Sequence, residues 1–127
     1  MAKLSIKIGI IFFLLVFPLA LAVSQDTASK PEAPQNLRIT ATNADGNSFS
    51  IEWDPVPDAT EYRIYQNPQG RTIGWTRLLS TNPYPVNTTT AVITKITLNT
   101  AYNYRVTALN ANGEGAPSEH VGLNLTK

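Results

Sequence analysis

Tyr102-Asn103-Tyr104-Arg105-Val106-Thr107-Ala108 is the stretch on which the reading of the fold turns. An apolar or aromatic residue stands at every second position, and polar residues fill the gaps. Successive side chains of an extended strand point to opposite faces, so this period marks a strand with one face on a core and the other in water. A helix would place its apolar residues three and four apart instead. The same alternation recurs upstream. Leu37, Ile39 and Ala41 alternate with Arg38, Thr40 and Thr42. Phe49, Ile51 and Trp53 alternate with Ser48, Ser50 and Glu52. Tyr62 and Ile64 alternate with Arg63 and Tyr65.

Shorter runs at Trp75–Ser80, Thr90–Thr94 and His120–Leu125 complete the set. The breaks between runs carry turn chemistry: Asn43-Ala44-Asp45-Gly46-Asn47, Asp54-Pro55-Val56-Pro57-Asp58, Gln69-Gly70, Asn82-Pro83-Tyr84-Pro85 and Asn110-Ala111-Asn112-Gly113. Glycine supplies positive φ and proline withholds a ladder donor, so these segments interrupt strands for physical reasons. Seven short alternating strands and no helix-period segment predict an all-β chain: an antiparallel β-sandwich of two sheets. Trp53 is the expected centre of the core, with Tyr62, Ile64, Tyr102, Tyr104 and Val106 around it.

The first residues read as a separate object. Lys3 and Lys7 precede an uncharged run from Ile8 to Val23, which ends in the small residues Ala20-Leu21-Ala22-Val23-Ser24. Positive start, apolar run and small-residue site are the parts of a secretory signal peptide, assigned to 1–24 with cleavage after Ala22 or Ser24. The run spans about 16 residues, short of the ~20 that cross a bilayer comfortably. Retained, it would instead tether the chain to a membrane. Residues 25–33 are polar and read as a flexible leader, and 34–127 as the folded domain.

Composition removes several chemistries. The net charge of the 127-residue chain is +1, and without Lys3 and Lys7 it falls to −1. Lys and Arg are scattered, so there is no electrostatic footprint for nucleic acid. There is no cysteine and a single histidine, His120. That excludes disulfides, thiolate nucleophiles and cysteine-held zinc, and His120 lacks the Gly-x-Ser-x-Gly elbow of a serine hydrolase. Glu52, Asp54, Asp58 and Glu61 lack the spacing of a calcium loop and read as solvated charges. Gly113-Glu114-Gly115 opens no helix on which a phosphate could sit and reads as a turn. No cofactor and no catalytic residue are expected.

Taken in order, several segments resemble the fibronectin type III family. Pro34-Gln35-Asn36-Leu37-Arg38-Ile39 looks like its opening strand. Ser50-Ile51-Glu52-Trp53-Asp54-Pro55 looks like its second, and Ala59-Thr60-Glu61-Tyr62-Arg63-Ile64-Tyr65 like its third. Ile96-Thr97-Leu98-Asn99-Thr100-Ala101-Tyr102 is similar to its tyrosine corner, in which the phenol bonds upstream backbone, and Val106 to Ser118 resembles its sixth strand, the loop after it and the start of the seventh. Leu98 stands where the family often has proline, and Gln66–Thr89 is longer and less regular than usual.

The resemblance implies an immunoglobulin-like fold and a secreted or cell-surface binding module of the adhesion type. Its expected partner is an extracellular protein, with carbohydrate as the second class. The alternative is a structural spacer that self-associates at an extracellular or membrane-tethered site. Tyr65, Arg71, Trp75, Arg77 and Tyr84 are the candidate contact residues, since aromatics with arginine anchor interfaces. Asn87-Thr88-Thr89 and Asn124-Leu125-Thr126 make Asn87 and Asn124 candidate glycosylation sites.

Overall fold

The computed structural model describes residues 28–72 and 74–127, so the signal segment assigned to 1–24 lies outside the described residues. Nine strands form two antiparallel sheets. They are β1 (Arg38–Asn43), β2 (Ser48–Glu52), β3 (Glu61–Pro68), β4 (Thr76–Arg77), β5 (Thr81–Asn82), β6 (Thr90–Ile93), β7 (Ala101–Asn110), β8 (Gly113–Glu114) and β9 (Val121–Asn124). One sheet has the order β1-β2-β6-β5 and the other β4-β3-β7-β8, with β9 also on β7. The central ladder of the second sheet joins β3 to β7 from Glu61↔Leu109 to Pro68↔Tyr102.

The alternation of these strands places the core between the sheets. Phe49, Ile51 and Trp53 enter from one side, and Tyr62, Ile64, Tyr104, Val106 and Ala108 from the other. The Phe49 and Tyr104 rings lie 4.7 Å apart and the Trp53 and Tyr62 rings 5.2 Å apart, the latter edge-on. Burying one such side chain is worth about 1.5–3 kcal/mol relative to exposure. Burial, with Tyr102 close by, pushes the Tyr104 phenol up to about 12.

Tyr102 is the exception among the expected core residues, being only partly buried against the cluster. It stands one pair from the end of β7, opposite Leu123, where the sandwich opens. The buried phenol bonded to backbone is found at Tyr62, whose oxygen accepts from the Val56 N–H at 3.1 Å. Among the described residues Tyr102 makes no such bond.

Three further departures from the alternation have local causes. A bulge between Ile39 and Ala41 shifts the register of β1 on β2, so Ala41 faces water instead of the core. The run Trp75–Ser80 is not one strand but a bridge between sheets. Leu78 N–H still donates to Ile64 on β3 (2.8 Å), while the Ser80 carbonyl already accepts from Thr94 beside β6 (2.9 Å). Leu79, at the crossing, is 61% exposed. The last predicted strand, His120–Leu125, is found as β9, while a short extra strand, β8, forms in Gly113–Glu114, which reads as a turn in the sequence, with Gly115 and Ser118 bonding to β7 between the two. With β4 and β5 in place of the single Trp75–Ser80 run and β8 added, there are nine strands where seven were expected.

The leader read as flexible over 25–33 is docked where it is described. Asn110 and Asn112 carboxamides donate to the Ser29 carbonyl at 2.9 and 3.2 Å, and Pro31 is buried. A Cβ at Gly115 would stand 2.0 Å from the Pro31 carbonyl oxygen, so glycine there is what lets the two backbones approach.

Candidate functional site

The outward face of the second sheet carries Arg63, Tyr65 and Asn67 from β3 beside Thr107, Arg105 and Asn103 from β7, in the pairs Arg63↔Thr107, Tyr65↔Arg105 and Asn67↔Asn103. Alternation sends these side chains outward because their neighbours fill the core. Pairing then decides which of them meet.

At one end, Glu114 of β8 gathers three donors. Arg63 Nη1 approaches one carboxylate oxygen at 2.9 Å. The Thr107 hydroxyl donates to the other at 2.6 Å, and the Tyr65 hydroxyl donates to that same oxygen. Burial alone would push the Glu114 carboxyl up, but the Thr107 and Tyr65 hydrogen bonds and the Arg63 charge outweigh it and hold the carboxyl below its ordinary value. Burial raises the Tyr65 phenol, and the neighbouring carboxylate adds to the rise. This end is a closed set of matched groups.

At the other end, the Arg105 guanidinium carbon lies 4.3 Å from the centre of the Trp75 ring, in cation–π contact. The His120 ring stands 6.2 Å from the same ring. Beyond them the floor is laid with carboxamides. Asn67 Nδ2 donates to the Gly74 carbonyl and Gln69 Nε2 to the Tyr102 carbonyl. A Cβ at Gly122 would stand 2.6 Å from that Gln69 nitrogen and 3.4 Å from the Asn103 oxygen, so the absent side chain keeps the floor flat.

The fibronectin type III domain family matches residues 32–122. The chain belongs to that family. Among solved structures, this fibronectin type III domain is similar to the chicken CNTN1 FN1-FN3 domains, at a TM-score of 0.68 and 20% identity over 77% of this chain and 33% of that one. It is also similar to an Fn3-like protein from Clostridium thermocellum, at 0.62 and 22% over 78% of this chain and 97% of that one. A tail tube protein of Bacillus phage SPP1 is 36% identical over 99 residues, covering 78% of this chain and 33% of that protein. The fibronectin type III chain thus spans about a third of the length of that curated relative.

Of the five contact residues expected from sequence, Tyr65 faces outward but its hydroxyl is engaged by Glu114. Trp75 is half-buried over Arg105. Arg77 pairs with Glu61 at 3.7 Å and lies 5.9 Å from the Tyr84 ring, which is 51% exposed. Arg71 is exposed in the β3–β4 loop, and no ion pair or ring contact joins it to the others among the described residues. Asn87 and Asn124 are both exposed. The four acids part company: Glu52 and Asp54 share Arg38, Glu61 holds Arg77, and Asp58 is exposed in its turn. Sequence reasoning missed Arg105, Glu114, Thr107 and the three carboxamides as members of the face. Alternation did put Asn103, Arg105 and Thr107 outward, but their neighbours depend on which strand lies alongside.

Proposed function

We propose that this fibronectin type III chain is a non-catalytic binding module that works outside the cytoplasm, and that the Trp75–Arg105 end of the outer sheet face is its contact surface. One observation carries the reading: an arginine stacked on a half-exposed tryptophan, on a sheet face, with no carboxylate within 4 Å among the described residues. Aromatics and arginine supply large contact area with few degrees of freedom to lose, which is why they dominate binding hot spots. A sandwich offers flat faces and loops, not the deep polar cleft that catalysis uses. The charge pattern of the first residues supports export. If the apolar segment is retained, the module works tethered to a membrane.

Affinity capture with the purified chain, beside a Trp75→Ala variant, tests this. A partner held by the first and lost by the second is the expected result. Equal retention by both removes the face from the proposal.

The phage relative favours a second reading, in which the domain is an accessory part of a larger structural assembly. Self-association would then use an open strand edge. The outer edge of β1 is exposed from Thr40 to Asn43, but its bulge twists that edge away from a flat template. Sedimentation over a hundredfold concentration range separates the two readings: a size that grows with concentration favours assembly, and a constant monomer removes it.

A further inference from the structure

We infer that the Trp75 end of the outer face takes an anionic polysaccharide, one sugar ring stacking on Trp75 while its carboxylate or phosphate pairs with the Arg105 guanidinium. The inference rests on the binding-module reading and names its ligand class.

Three observations lead there. The first is charge. Arg63, Arg77 and Arg38 each have a carboxylate partner, whereas among the described residues no carboxylate lies within 4 Å of Arg105. The Nε atoms of Arg63 and Arg105 are both buried without a partner, so what separates the two is the carboxylate, not the burial. A planar guanidinium presents paired donors that fit a carboxylate or phosphate edge. An anion would supply at Arg105 what Glu114 supplies at Arg63.

The second is shape. The Arg105 guanidinium lies against the Trp75 indole, and the half-buried ring keeps part of its surface open to solvent. Gly122 keeps the adjoining strand flat. A broad aromatic plate on a level floor suits an extended polymer better than a protein side chain, which needs a pocket. The exposed apolar residues Leu79 and Tyr84 are not part of this end, as they belong to the β4–β5 crossing and the loop after it.

The third is the surround. Asn67, Gln69 and Asn103 carry the carboxamides beside the plate, and His120 adds a ring nitrogen pair. Carboxamides both donate and accept, so they match hydroxyl groups of either polarity. An apolar plate bordered by such groups is a surface complementary to a pyranose ring.

The test is electrophoresis of the full chain through native gels cast with polygalacturonate, with a sugar-phosphate polymer, or with neutral dextran, each beside a polymer-free gel. Retardation in one or both anionic gels and not in dextran is expected, and the gel that retards identifies the anion. Trp75→Ala and Arg105→Gln should each weaken retardation about tenfold or more, while Trp75→Phe keeps most of it. Trp53 is the only tryptophan left in the Trp75→Ala chain, so its unchanged buried emission certifies the core of that variant. The Arg105→Gln variant is checked by its melting curve.

Equal retardation in dextran would overturn the role of the anion. Retardation that survives both substitutions would overturn the site. If no polymer retards the chain yet a protein is captured in a Trp75-dependent way, the polysaccharide assignment falls and the binding-module reading stands. If neither occurs, both fall.

Discussion

Arg63 and Arg105 project from the same face of the same sheet, one on β3 and one on β7, and their surroundings are opposite. Arg63 meets a carboxylate at 2.9 Å, and that carboxylate also takes the hydroxyls of Thr107 and Tyr65. Arg105 meets the Trp75 ring at 4.3 Å and no acid among the described residues. The first end has its charge matched from within and holds β8 onto the sheet. The second end holds its positive charge against an aromatic ring, with no acid beside it among the described residues. Two arginines that look equivalent in an alternating strand pattern therefore differ in kind: one is paired within the fold, and the other is the group we propose for recognition.

The inner face sets the scale for testing that contrast. Trp53→Ala should cost about 3–5 kcal/mol in chemical denaturation, as large core truncations do. That is a large part of the ~5–15 kcal/mol of a typical domain. An unchanged denaturation midpoint would mean that the sandwich core is not where Trp53 lies. Glu114→Ala comes next, at about 1.5–3 kcal/mol, because it strands Arg63 and removes hydrogen bonds to a charged acceptor. A cost equal to that of Arg105→Gln would erase the difference between the two ends.

Acid should act on the Glu114 end. The Glu114 carboxyl is held below its ordinary value in the folded chain, so its contribution is complete above the ordinary glutamate range. It is lost as pH falls through the lower, folded value. Denaturation midpoints measured down that range should fall less steeply for Glu114→Gln than for the natural chain; parallel slopes would remove Glu114 as the source. Tyr65→Phe, which deletes one donor to the same carboxylate, should cost about 0.5–1.5 kcal/mol. Smallest is Arg105→Gln, expected at about 0.5–1 kcal/mol from the lost cation–π contact, with its main effect on polysaccharide retardation.

Much of the fold can be read directly from residue patterns, because side-chain direction in a strand alternates with chain position alone. The inward set of Trp53, Tyr62, Ile64, Tyr104 and Val106 follows from that rule, as does the outward set of Arg63, Tyr65, Arg105 and Thr107. The rule fails where it has no information. At β1 a bulge resets the alternation and turns Ala41 outward. Along Trp75–Ser80 the chain changes sheets, which no period encodes. At Tyr102 the direction is inward, but the strand has reached the edge of the core. The leader is polar and reads as loose, yet it docks because Gly115 leaves room for the Pro31 carbonyl.

By itself, then, the sequence determined an all-β chain with the fibronectin type III order of strands and the face to which most of its side chains turn. These follow from local alternation and turn chemistry, which act between near neighbours in the chain. The tertiary structure alone decided that Glu114 reaches Arg63, 51 positions away, and that Trp75 covers Arg105 and stands beside His120. Such contacts depend on which strands lie side by side and in what register. That choice is made by the whole packed sandwich, and the candidate site consists of its results.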